Sequence, residues 1–130
     1  MTAKQVKWYA IALAVVIAGV YSCTKDIIAT KLDKATVSLL APANNTKLGS
    51  TSVTFWWEEV SGAESYKIQV VKPGFSSIQY IGLDSTTTKT KYTLNLQPGN
   101  YQWRVMAQNN SSKTAYTTWN FSIDSTLNIS

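Results

Sequence analysis

From position 36 onward, short stretches of the chain place an apolar or aromatic residue at every second position, with polar residues between. An extended backbone sends successive side chains to opposite sides, so this alternation demands strands with one buried face. Seven stretches carry it: 35–40, 52–57, 65–71, 77–82, 91–96, 101–108 and 117–123. The apolar side is Val53, Phe55 and Trp57 in the second stretch, and Tyr66, Ile68 and Val70 in the third. It is Tyr92, Leu94 and Leu96 in the fifth, Tyr101, Trp103, Val105 and Ala107 in the sixth, and Trp119, Phe121 and Ile123 in the last. The opposite sides are polar, as in Thr54, Lys67, Gln69, Arg104 and Asn120. Seven short strands punctuated by turn residues predict an all-β domain folded as a two-sheet sandwich over 36–124.

With one cysteine in 130 residues, the chain has no internal disulfide, and its core must supply the stability. Trp57, Trp103, Trp119, Tyr66, Tyr92 and Tyr101 are the expected main contributors, since each buried aromatic removes about 150–250 Å² from water. Trp56 falls on the outward phase of its stretch.

Particular residues then resemble a known family. A tryptophan (Trp57) ends the second stretch. The third has the pattern Tyr-x-aliphatic-x-aliphatic (Tyr66, Ile68, Val70). A Leu-x-Pro-Gly-x-Tyr corner (Leu96, Pro98, Gly99, Tyr101) leads into "YQWRVMAQ". These marks resemble the fibronectin type III domain, a seven-stranded immunoglobulin-like sandwich. The resemblance covers about 36–124. It implies a tyrosine corner, in which the Tyr101 hydroxyl bonds back to the upstream backbone. Pro42 is expected to close the first strand, and Pro73-Gly74 to lie between the third and fourth.

The amino-terminal segment has a different texture. Lys4 and Lys7 precede "WYAIALAVVIAGVY", residues 8–21, which carries no charge. Fourteen residues span roughly 21 Å as a helix. That is short of a ~30 Å hydrocarbon core, and it suits the apolar region of an export signal. Residues 20–23, "VYSC", resemble a bacterial lipobox. The resemblance implies a signal peptide at 1–22, cleavage before Cys23, a diacylglyceride on the Cys23 sulfur and a further acyl chain such as palmitate on the new amino terminus. Two or more chains make a lasting anchor where one binds reversibly. Lys25-Asp26 resembles the charged export tag of surface lipoproteins. Residues 23–35 are read as a tether and 125–130 as a tail. An uncleaved helical anchor is the alternative, with Lys4 and Lys7 held in the cytoplasm. Both readings place the sandwich outside the cytoplasm, in the cell envelope; the lipobox favours the outer membrane, with the cell surface open.

Chemistry is sparsely provided. The chain has no histidine, no Cys/His metal constellation, no phosphate-cradling glycine loop and no serine elbow. Glu58 and Glu59 are adjacent on an extended chain and point apart, whereas paired carboxyl catalysis needs two groups across a cleft. The expectation is a non-enzymatic protein without metal or cofactor. Net charge is +5, and +3 without Lys4 and Lys7, but the basic residues are dispersed and form no stripe for nucleic acid. The candidate binding residues are Trp56, Tyr80, Arg104 and Tyr116, with Ile78 sharing a face with Tyr80. Lys67, Gln69, Arg104 and Met106 form an outward polar face. Ser85 and Ser125, in Asp-Ser-Thr contexts, resemble bacterial O-glycosylation sites. The expected function is a membrane-anchored lipoprotein displaying a module for protein binding or structural support. The alternatives are a glycan binder using exposed aromatics and a helix-anchored subunit of an envelope complex.

Overall fold

In the computed structural model, which describes residues 31–124, each alternating stretch contributes a strand. In chain order these are β1 (Leu39–Ala41), β2 (Thr46–Leu48), β3 (Ser52–Trp57), β4 (Ser65–Gly74), β5 (Ser77–Thr87), β6 (Lys91–Asn95), β7 (Gly99–Gln108) and β8 (Thr117–Ile123). One sheet has the order β1-β3-β6 and the other β2-β8-β7-β4-β5. Pairing is antiparallel throughout, except that β2 runs parallel to β8. The described residues contain no helix.

The core lies between the sheets and follows the period-two phase. Val53, Phe55 and Trp57 of β3 are buried, as are Tyr66, Ile68 and Val70 of β4 and Tyr101, Trp103, Val105 and Ala107 of β7. Rings interlock across the gap, with Phe55 5.0 Å from Trp103 and Trp57 5.8 Å from Tyr66, while Tyr101 stacks at 5.2 Å on its partner Phe121 within the five-stranded sheet. Tyr92 and Trp119 are only half-buried, and they pack against the cluster from its border. Phe55 and Phe121 take the central places instead.

Three differences from the sequence expectation concern the path of the chain. The first stretch is cut short, and a strand outside it follows. Only Leu39–Ala41 pairs with β3, and the chain then passes Pro42 and Asn45 (φ 62°) to join the second sheet as β2. Eight strands therefore stand where seven were expected, because a three-residue strand is too short to show a period. Second, Pro73 and Gly74 are the end of β4, not a connection beyond it. Proline is tolerated there because β4 pairs with β7 only as far as Val71, leaving Pro73 paired on one side alone, at a register shift against β5. Third, Leu32, expected in the tether, is fully buried in the core. Its amide donates to Ser112 Oγ at 2.8 Å, so the packed body begins ahead of Thr36.

The corner before β7 forms as expected. Gly99 has φ +149°, and a Cβ there would come within 2.7 Å of Lys72 Cε. The Tyr101 hydroxyl donates to Gln97 O at 2.6 Å. Burial raises the Tyr101 phenol above its ordinary value of 10.0, and charge on Tyr80 adds to the effect. The fold therefore favours the neutral phenol. That contribution is complete below pH 10.0 and is lost as pH rises through the higher folded value. Tyr101→Phe should cost about 1–3 kcal/mol at neutral pH, since it orphans a carbonyl. It should also flatten part of the loss of stability above pH 10.0. Urea melts of both proteins at pH 8 and pH 11 check this; parallel losses would mean that the phenol titrates alike in the folded and unfolded chains.

Candidate functional site

The outer face of the five-stranded sheet carries a rung of polar side chains across three strands. Register places Gln69 of β4 opposite Arg104 of β7 on one side and Asp84 of β5 on the other. Arg104 Nε donates to Gln69 Oε1 at 2.7 Å, and Gln69 Nε2 donates to Asp84 Oδ1 at 3.3 Å. Lys67 Nζ stands 3.9 Å from the same carboxylate oxygen, an exposed pair that contributes little to stability.

Two aromatic rings flank the Arg104 guanidinium. Its carbon is 3.9 Å from the ring centre of Phe75 and 4.2 Å from that of Tyr116. Both rings stand on loops that are pinned from the sheet. The Phe75 amide donates to Gln102 Oε1 at 2.7 Å, and Gln102 Nε2 donates to Asn120 Oδ1 at 2.7 Å. Thr114 is buried two residues before Tyr116. Its hydroxyl accepts from the Ala107 amide at 3.0 Å and donates to Ala115 O at 2.8 Å. The arginine is thereby held flat and half-buried, and fixed geometry of this kind suits bidentate recognition.

A shallow groove of about 50 Å³ adjoins the arginine, lined by Val71, Phe75, Ile78 and Ile81 among others. Ile78 and Ile81 share this side because β5 carries two register shifts. Leu83 pairs with Val70 and Ile81 with Val71, skipping Gly82; Tyr80 pairs with Lys72 and Ile78 with Pro73, skipping Gln79. Each extra residue turns the pleat by one position. The expectation that Ile78 and Tyr80 share a face is therefore corrected. Tyr80 instead lines a separate cleft of about 430 Å³ with Lys72, Gln79, Gln97 and Tyr101.

The sequence candidates thus fall in several places. Arg104 and Tyr116 come together. Tyr80 lies on the same edge strand as the groove but in the other cleft. Trp56 is exposed on the three-stranded sheet, with Lys91 Nζ 5.0 Å over its ring. Met106, expected on the outward polar face, is buried. Ser85 is half-buried within β5, opposite Ile68. Cys23 and Ser125 lie outside the described residues. Sequence reasoning missed Phe75 and Ile81. An aromatic directly after Pro73-Gly74, at a hairpin tip among polar residues, was the available signal for Phe75. Among the described residues no group of three or more His, Cys, Asp or Glu side chains is placed to hold a metal ion.

Solved structures similar to this chain include fibronectin type III domains. The domain from the human KIAA0970 protein matches with a TM-score of 0.53 and 16% identity, over 73% of this chain and 77% of that one. The fn3 domain of the human collagen alpha-1(XX) chain matches at 0.52 and 15%, over 66% and 80%. FN3tt matches at 0.50 and 21%, over 69% and 98%. No family model and no curated protein matches the chain. The two-sheet topology and these likenesses define the fold as a fibronectin type III-like sandwich.

Proposed function

We propose that this chain is a cell-envelope lipoprotein whose sandwich binds a protein partner through the β5 edge of its five-stranded sheet, without catalysis, cofactor or nucleic acid. One observation carries the binding surface. Five large hydrophobic residues are exposed among the described residues, and three of them fall within positions 78–81: Ile78 at 48%, Tyr80 at 54% and Ile81 at 58%. An edge strand offers unpaired backbone groups, and exposed apolar side chains on it mark a place where another chain lies down. The separation of Trp56 from Tyr80 and Tyr116 favours a protein over a glycan, because stacking on a sugar chain needs aromatics on one platform. Attachment at Cys23, in the outer membrane, is supported by the basic-then-apolar segment ending in "VYSC".

Two measurements test this proposal. The intact mass of the protein from its host should correspond to a chain beginning at acylated Cys23; a chain retaining Met1 with an unmodified thiol removes the lipid anchor. A photo-crosslinking residue at Ile81 should give a discrete protein adduct in cells, and the same residue at Thr93, exposed on the three-stranded sheet, should not. Equal adducts from both positions, or none from Ile81, would remove the β5 surface.

A further inference from the structure

We infer that Arg104 is the receptor for an Asp or Glu carboxylate on an extended peptide whose apolar residues cover Ile78 and Ile81; this rests on the proposed binding role of the β5 edge. An arginine carries five N–H donors. Here Nε is spent on Gln69, and the Nη donors have no partner among the described residues. Phe75 and Tyr116 cover the guanidinium, so water reaches it chiefly at its edge. A planar carboxylate meeting that edge makes two parallel charge-assisted bonds.

Charge also selects an acidic partner. Beside the groove stand Arg104 and Lys67 against Asp84, two positive to one negative, or +1, while Lys72 lies in the Tyr80 cleft. Glu58, Glu59 and Glu64 lie in the β3–β4 connection and not on the sheet. Asp84 does not occupy the arginine, which it reaches only through Gln69. On the ligand side, same-face residues of a strand are about 7 Å apart. Register puts Ile81 one same-face position and Ile78 two beyond the Gln69–Arg104 rung, so a peptide of pattern acid-x-apolar-x-apolar, running antiparallel to β5, presents its acid and its two apolar groups in that order on one side.

The test uses the full chain, isotope-labelled in a non-ionic detergent, titrated with acetyl-Glu-Thr-Val-Thr-Val-amide and with its Glu→Gln analogue. The Glu peptide should move the Arg104 Nε–H resonance and the Ile78 and Ile81 methyl resonances together. The Gln peptide should bind about tenfold more weakly. Arg104→Lys, which keeps the charge and loses the fork, should bring the Glu peptide down to the Gln level with the remaining backbone spectrum unchanged. The comparison of peptides stands even if that variant misfolds. Equal binding of the two peptides, or no binding of either, overturns the inference. A hexuronate trisaccharide that shifts the Arg104 resonance where the peptide does not also overturns it, by assigning the carboxylate to a glycan. An Ile81 crosslink that persists alongside equal peptide affinities removes the carboxylate assignment and leaves the β5 surface standing.

Discussion

Trp57→Ala should cost about 3–5 kcal/mol, and Trp56→Ala, one residue away, under about 1 kcal/mol. Both lie on β3, and the pleat sends them to opposite sides. Trp57 is fully buried and meets Tyr66 edge-on at 5.8 Å. Truncation leaves a void that neighbours from both sheets cannot fill without moving. Trp56 is 46% exposed, and its ring contact among the described residues is Lys91 at 5.0 Å. A domain of this size has about 5–15 kcal/mol in total, so the first substitution removes a large share of it. Urea unfolding followed by fluorescence of the remaining tryptophans should show a lower midpoint for Trp57→Ala and an almost unchanged one for Trp56→Ala. Equal losses would contradict the register of β3.

The same pleat explains what was legible in the sequence. Where a strand is paired without interruption, as in β3 and β7, residue parity alone identifies the buried face, and Phe55, Trp57, Trp103 and Val105 follow it. The tyrosine corner was legible because its chemistry is local, four residues from donor to acceptor. Parity fails at β5. Gly82 and Gln79 are extra residues set by pairing with β4; a glycine within a strand is a signal for the first, and nothing within β5 itself marks Gln79. The groove formed by Ile78 and Ile81 was therefore hidden, although both residues stood in plain view. The Arg104 clamp was hidden for a related reason. Arg104 and Tyr116 could be picked out as outward groups, but their assembly with Phe75 depends on Gln102 reaching a hairpin 27 residues away. Long-range hydrogen bonds of that kind leave no periodic trace.

Leu32 gives the second large expected effect. It sits between Lys31 and Asp33, both exposed, in a stretch with no alternation, so the sequence marks it only as part of a tether. In the fold it is fully buried, its amide donates to Ser112 Oγ at 2.8 Å, and its carbonyl accepts from the Ala35 amide at 3.0 Å. One apolar side chain in a polar segment thus closes one end of the core. Leu32→Ala should cost about 2–5 kcal/mol, whereas Lys34→Ala, exposed two residues on, should stay within about 0.5 kcal/mol. The location also bears on the proposed lipid anchor. Fixing residues 32–35 to the body removes about 14 Å of extended reach from any tether that begins at Cys23. The sandwich would then ride closer to the membrane than the sequence boundary implies. Chemical denaturation of the two variants decides the matter: matching midpoints for Leu32→Ala and Lys34→Ala would return Leu32 to the tether and restore that reach.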